Sequence, residues 1–286
     1  MKLVTNDYGC GTSSSIFDYG IEDVIIVSED NYDHVFEADD DLLFIGHDFL
    51  MYLWDSDEKI ERWKSHKHGK AVWCFERIDA IVPQWKSKSH YSMFQLKKFT
   101  EEIYACDEDD CDKYGYKWLP QWASKRFYDL RDNVIENENI LFSGQAGKKE
   151  YSYRNLLLKD IISDDILCNK LILSNTSRSL SWDDYVINLL KYRFILNPVG
   201  IIKALNVRAY EALYSGRILL QHAVGEYKRH ENMLKDFNNV IFFRSFLELK
   251  EIMVKIDKEN YKIDTTMAYN ENNIYTRMKS IGYEIK

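Results

Sequence analysis

Proline is scarce in this chain of 286 residues: there are 3, at positions 83, 120 and 198. So few prolines, set beside 20 Tyr, 14 Phe and 7 Trp, exclude a solvated or proline-rich coil. Cysteine is also sparse. The five, at 10, 74, 106, 111 and 168, are odd in number and lack paired spacing, which excludes a disulfide scaffold and points to reduced thiols in a cytosolic protein. No apolar run approaches the roughly 20 residues needed to cross a bilayer. The opening MKLVTNDYG has one Lys and an apolar stub too short for a signal peptide. The expectation is a cytoplasmic protein (host cytoplasm if phage-encoded) with no membrane partner, acting as a monomer or homodimer. In that compartment the Asn175-Thr176-Ser177 sequon carries no meaning. Positive charge is short as well: 38 Lys and Arg against 46 Asp and Glu leave a net charge of −8. That excludes a broad, sequence-independent grip on nucleic acid but leaves room for a local basic groove.

What is present is an alternation of short apolar runs with amphipathic stretches. Runs at Lys2–Thr5, Asp23–Ser28, Leu42–Ile45, Ala71–Phe75 and Ile103–Ala105 read as buried parallel strands, with helical periodicity at Asp57–His66 and His90–Thr100. The stretch Trp118–Glu138 breaks the pattern with Pro120, an aromatic cluster and the polar run RDNVIENEN, and marks a domain boundary. A second alternation follows, with strands at Ile140–Ser143, Lys170–Ser174, Phe194–Asn197, Arg217–Gln221 and Val240–Phe243. Helices are predicted at Tyr151–Ile162, Trp182–Lys191, Asn206–Ser215, Glu226–Asp236 and Phe246–Ile256, and a last one over Thr266–Ile281. Alternating β and α at this spacing means an α/β protein of two Rossmann-like lobes with parallel sheets facing a central cleft. The expected division is 1–120 for the N-terminal lobe, 121–138 for a linker, 139–262 for the C-terminal lobe, and 263–286 for a helix packing back on the N-lobe.

The most informative segment is 194–222, FILNPVGIIKALNVRAYEALYSGRILLQH. It reads as strand, loop, helix from Asn206, stop at Gly216, and strand. Open α/β sheets bind ligands beyond the carboxyl ends of their strands, where helix N-termini attract anions. A diphosphate suits the start of the Asn206 helix, with Lys203 before it and Arg208 in its first turn adding charge-assisted contacts. Glu211, a turn on, is a poor neighbour for phosphate and a good acceptor for the paired hydroxyls of a ribose or sugar. An ordinary amphipathic helix, with Ala212 and Leu213 in the core and Gly216 as C-cap, is the plainer reading of the same run.

The run Asn206-x-Arg208-x-x-Glu211-Ala212-Leu213-x-x-Gly216 resembles the donor-site helix of GT-B glycosyltransferases, in particular the spore-maturation (CgeB-like) branch and family 1–4-type bacterial and phage enzymes. The resemblance also covers the topology of 140–262 and, more loosely, the first lobe. It implies a glycosyltransferase, hexosyl or pentosyl, that takes a sugar from a nucleotide-sugar donor, a UDP-sugar foremost, with no other cofactor required. It implies that Glu211 binds the donor's ribose, while the preceding basic residue and the helix start take the diphosphate. Many retaining members carry a second Glu eight residues earlier. Here that position is Lys203, so the resemblance assigns no stereochemical class.

The loop Ser143-Gly144-Gln145-Ala146-Gly147-Lys148-Lys149 is a second phosphate candidate, because glycines let backbone N–H groups approach an anion and Lys148 adds field. Ser174 and Asn175, at the end of the next strand, are placed to reach the base or ribose. The loop Asn6–Thr12 lacks the third Gly of a dinucleotide fingerprint. In GT-B enzymes the matching loop faces the cleft and the acceptor, which puts Asp7 and Tyr8 on the acceptor side; Asp7, His47, Asp48 and Glu76 sit at strand ends facing the same cleft. An acceptor hydroxyl calls for a general base; Glu76 and Asp48 are the favoured catalytic candidates, with helix capping or pairing to a neighbour such as Arg77 as their structural alternative.

No metal site is expected. His66-x-His68 sits in a Lys-rich polar stretch, and the acidic stretches 37–41 and 107–112 read as solvated turns and helix starts. The acceptor is left open between a glycan or small molecule and a modified base in duplex DNA. Some phage GT-B enzymes glycosylate hydroxymethylated bases, and abundant Asn, Asp, Ile, Lys and Tyr resemble proteins of AT-rich genomes. Lys64, Lys67, Lys70, Lys86, Lys88, Lys97 and Lys98 concentrate charge in the first lobe, with Trp63 and Trp85 available for stacking; a solvated face is the plainer reading. A degenerate GT-B fold acting as a non-catalytic nucleotide- or partner-binding protein is the alternative function.

Overall fold

The computed structural model describes residues 1–5, 14–28, 31–46, 56–75, 100, 102–133, 137–147, 152–174, 180–200, 205–223, 228–256 and 264–285. The chain divides into two units: Met1–Gln121 together with Ile274–Lys286, and Trp122–Asn273.

In the first unit six strands pair in parallel: β1 (Lys2–Thr5), β2 (Val24–Ile26), β3 (Leu42–Ile45), β4 (Lys70–Cys74), β5 (Glu102–Ala105) and β6 (Lys117–Trp118). Their order is β2-β1-β3-β4-β5-β6. Strands buried on both faces read as unbroken apolar runs, as LLFI in β3 does. The helices between them are α1 (Asp33–Glu37), α2 (Asp57–Ser65) and α3 (Glu108–Tyr114). Ser56 caps α2 by accepting from the Lys59 N–H, and Asp57 and Glu58 suit the positive end of its dipole. The inner face of α2 carries Ile60 and Trp63, one turn apart, into a core with Phe44, Val72 and Ile103.

That packing corrects two expectations. Trp63 is 1% exposed and packs on Phe44 at 4.7 Å, so it is core and not a stacking platform for bases. The acidic stretch 107–112 does begin a helix, with Asp107 capping α3, but it is solvated only in part: Asp107, Glu108 and Asp110 are buried, Asp109 half-buried and Asp112 exposed. The 3-10 helix at Ser14–Tyr19, α1 and β6 were not foreseen. β6 is two residues long, and a strand that short leaves no apolar run to read.

In the second unit five parallel strands, β7 (Asn137–Ser143), β8 (Leu171–Ser174), β9 (Tyr192–Asn197), β10 (Ile218–His222) and β11 (Val240–Phe243), lie in the order β11-β10-β9-β7-β8. A further unforeseen element is α4 (Arg126–Asp129), inside the stretch expected as a linker. Its Phe127 is buried with Ala123 in the core of this unit. The remaining helices are α5 (Ser152–Ile162), α6 (Trp182–Leu190), α7 (Val207–Tyr214), α8 (Lys228–Leu234), α9 (Phe246–Lys255) and α10 (Thr265–Asn272). On one face Leu141, Ile195 and Leu219 pack against α6 and α7; on the other Phe142, Leu196 and Leu220 pack against α5 and α9.

The single C-terminal helix expected over Thr266–Ile281 is two. α10 stops at Asn273, which is extended at φ −72° and ψ 167°, and α11 (Ile274–Ser280) belongs to the first unit. Asn272 and Asn273 turn their amides onto the carbonyls of Ala268 and Tyr269, competing with the helical ladder where it ends. Among the described residues no helix is long and apolar enough to cross a membrane.

Candidate functional site

The chain leaves β7 for β8 on one side and returns to β9 on the other, so β7 and β9 flank a topological switch point. In open parallel sheets the crevice beyond the carboxyl ends of such a pair is where ligands bind. Gly144, directly after β7, and the start of α7, after β9, both stand at this edge.

Asn206 caps α7 from an extended backbone, its Oδ1 accepting from the Arg208 N–H at 3.1 Å. The helix then buries Ala209, Ala212 and Leu213 on the sheet. It closes in a Schellman motif at Gly216, φ 68°, with bonds from Gly216 N to Leu213 O and from Arg217 N to Ala212 O. Six buried residues in eight hold this helix rigidly, and that fixes where Arg208 and Glu211 stand.

The half-buried Arg208 side chain lies over the Gly144 turn. A Cβ built on Gly144, whose φ is +156°, would come within 3.2 Å of Arg208 Nη1 and 3.4 Å of the Phe142 ring. Glycine at 144 is what admits the guanidinium. The turn is pinned from behind by Gly144 N–H donating to Ser174 O at 3.1 Å. Ser174 Oγ in turn accepts from Asn188 Nδ2 at 3.3 Å.

Glu211 is 1% exposed. Burial raises its pKa to about 7, against the opposing pull of Arg208 and a hydrogen bond from Tyr185. Tyr185 Oη donates to Glu211 Oε2 at 2.6 Å. Its ring is stacked on Trp182 and stands edge-on to Phe127. A buried carboxyl group with a raised pKa beside an arginine, at a switch point, marks a candidate functional site.

Sequence reasoning missed Tyr185 and Arg154. Arg154, buried in the first turns of α5, donates from Nη1 to Gln145 O at 2.7 Å and lies against Gly200, where a Cβ would meet Nη2 at 2.9 Å. It brings a second guanidinium to the same loop. Its place directly after a glycine turn was the available signal. Of the expected donor residues, Gly144, Ser174, Asn206, Arg208 and Glu211 are gathered along this edge. Lys148, Asn175 and Lys203 lie outside the described residues, as do Asp7, Tyr8, His47, Asp48 and Glu76.

The expected basic stripe of the first unit is partly engaged. Lys64 pairs with Glu61 at 2.7 Å, and Lys70 Nζ donates to Trp63 O at 2.7 Å, with burial lowering its pKa. Trp85, Lys86, Lys88, Lys97 and Lys98 lie outside the described residues. His66 bonds the Asp40 carbonyl and His68 the Asp39 carboxylate. Among the described residues no group of three or more His, Cys, Asp or Glu is arranged to hold a metal.

No family model and no curated protein matches the chain. Solved structures do. One, an "alpha-glucosyltransferase in complex with UDP and a 13-mer DNA containing a HMU base", is 10% identical, with 98% of each chain covered and a TM-score of 0.60. Another, an "alpha-glucosyltransferase in complex with UDP-glucose and DNA containing an abasic site", is 11% identical, with 94% of each chain covered and a TM-score of 0.58. A third, an "alpha-glucosyltransferase (AGT) in complex with UDP", is 9% identical, covering 95% of this chain and 90% of that one, with a TM-score of 0.51. The chain has the fold of these enzymes: α/β, with two parallel sheets in two Rossmann-like lobes of the GT-B type.

Proposed function

We propose that this protein is a glycosyltransferase that takes a hexosyl group from a UDP-sugar and passes it to a hydroxyl on a modified base in duplex DNA. The observation that carries the donor half is the grouping of Arg208 over the Gly144 turn, the capped start of α7, and Glu211 one turn further on, all at the switch point of the second sheet. In this reading the diphosphate meets the Arg208 guanidinium and the first N–H groups of α7, with Arg154 adding charge from beyond the Gly144 loop. Lys148 and Lys203 add further positive charge. Glu211, ionised, accepts from the ribose diol, and Ser174 and Asn175 are assigned to the nucleoside.

The acceptor half is supported by the DNA in two of the solved structures that share the fold. Asp7, Tyr8 and His47 are proposed to face the acceptor, with Glu76 or Asp48 as the general base. The donor is the one cofactor-like requirement, the compartment is the cytoplasm, and the lobes follow the two units, Met1–Gln121 with Ile274–Lys286 and Trp122–Asn273.

The test is twofold. Calorimetric titration with UDP should give binding that Arg208→Ala and Glu211→Ala each weaken at least roughly tenfold with the fold retained. Incubation with labelled UDP-glucose and duplex DNA bearing a hydroxymethylated base should then move label to the DNA. Absence of any nucleotide binding would overturn the donor assignment. Binding without label transfer or donor hydrolysis would favour the non-catalytic alternative.

A further inference from the structure

Asn197 ends β9 at the switch point and is 1% exposed. The orientation of its amide follows from its neighbour on β10. Gln221 Nε2 donates to two backbone carbonyls, Asn197 O at 3.3 Å and His222 O at 3.0 Å, which an amide oxygen is unable to do. Gln221 Oε1 is therefore the atom that faces Asn197, and the 2.7 Å contact between the two side chains is Asn197 Nδ2 donating. Asn197 Oδ1 is left as a buried acceptor, and it has no hydrogen-bond partner. A buried acceptor without a donor is costly, and native structures retain few.

Its position says what it awaits. Side chains two apart on a strand share a face, so Asn197 lies on the same face as Ile195, the face that α7 covers. Continuing the β7–β9 register from Leu141↔Ile195 puts Ser143 beside Asn197, and the next residue is the Gly144 that carries the Arg208 guanidinium. Arg208 Nε at this edge is likewise buried without a partner. One open donor and one open acceptor thus stand at the same switch point. A fully ionised diphosphate has no proton to offer Asn197 Oδ1 and is repelled by it, but suits Arg208. The acceptor calls for a ligand O–H or N–H; with the base assigned to Ser174 and Asn175 and the ribose to Glu211, the sugar's hydroxyls remain.

Resting on the donor reading above, we propose that Asn197, oriented by Gln221, accepts a hydrogen bond from a hydroxyl of the sugar carried by the nucleotide. It is then a specificity-determining residue for that sugar. Sites built to bond a ligand hydroxyl reject the analogue that lacks it, because the buried partner is left unpaired.

The experiment titrates UDP and UDP-glucose into the full chain and into Asn197→Ala, with a series of monodeoxy UDP-glucose analogues on both. The expected result is unchanged UDP affinity in Asn197→Ala and roughly tenfold weaker UDP-glucose. One deoxy analogue should show the same loss on the wild-type chain and no further loss on Asn197→Ala, as a double-mutant cycle requires. The wild-type deoxy series carries the test even if the variant does not fold. Equal losses for UDP and UDP-glucose would mean that the acceptor meets the nucleotide, and no loss for either that water satisfies it. Either result, or a wild-type deoxy series with no weakened member, overturns the proposal. Failure of the wild-type chain to bind UDP at all would strike the donor reading instead, and this assignment with it.

Discussion

Tyr185 donates its hydroxyl to Glu211 Oε2 at 2.6 Å, tying α6 to α7 across 26 residues of sequence. The bond favours the ionised carboxylate while burial favours the protonated one, and burial is the larger effect.

The first prediction concerns stability. Glu211 titrates at an ordinary 4.5 when unfolded and at about 7 when folded. Between those values the folded chain holds a proton that the unfolded chain has lost, so stability falls as pH rises through this window. The shift corresponds to roughly 3 kcal/mol at alkaline pH. Glu211→Gln keeps an acceptor for Tyr185 and removes the buried charge. It should therefore unfold at higher denaturant than wild type above neutral pH and match it below the lower value. Equal midpoints at alkaline pH would contradict the burial argument.

Tyr185→Phe removes the bond and leaves the ring packing with Trp182 and Phe127. The Glu211 pKa should then rise further. If ionised Glu211 holds the donor's ribose, UDP affinity climbs as pH passes neutrality, and the midpoint of that climb moves to higher pH in Tyr185→Phe. Calorimetry across neutrality reads the midpoint. An unmoved midpoint would mean that Tyr185 serves packing alone.

Gly144→Ala and Gly147→Ala form a matched pair. Both glycines have positive φ, at 156° and 84°, and alanine strains both backbones by about 1–3 kcal/mol. At Gly147 nothing lies within 4 Å of the added Cβ, whereas at Gly144 it meets Arg208 at 3.2 Å. Both variants should lose stability, and Gly144→Ala should lose UDP affinity as well. Equal affinity in the two would sever Arg208 from the donor.

Trp63→Ala separates core from stacking platform. A large buried aromatic cut to alanine costs about 3–5 kcal/mol. The variant should melt well below wild type, and duplex DNA binding by the folded fraction at low salt should be unchanged. A stable variant with lost DNA binding would restore the stacking role.

The sheet framework was legible because its strands are short apolar runs closed by polar residues. β1, β3 and β11 begin and end where their runs do. The donor helix was legible through its Asn cap and glycine stop. What escaped were elements too short to show periodicity, α1, β6 and α4, and relationships made in three dimensions: Tyr185 with Glu211, Arg154 with the Gly144 loop, and the Gln221 amide that turns Asn197. Trp63 was misjudged although the signal was present, for Ile60 and Trp63 recur at helical spacing in an otherwise charged helix. The break at Asn272–Asn273 was hidden because each asparagine alone is compatible with a helix, and two adjacent amides bonding back to the last carbonyls are not.

The split of the C-terminal helices at Asn273 also bears on the order of synthesis. Ile274 and Met278 of α11 are fully buried and, with Arg277 bonding Gln121 O, complete a unit whose other 121 residues are made first. The first unit therefore lacks part of its core until α11 has been made, after every residue of the second unit. A released chain truncated before residue 274 should accordingly keep the second sheet protected from protease and leave the first more susceptible than in the full chain.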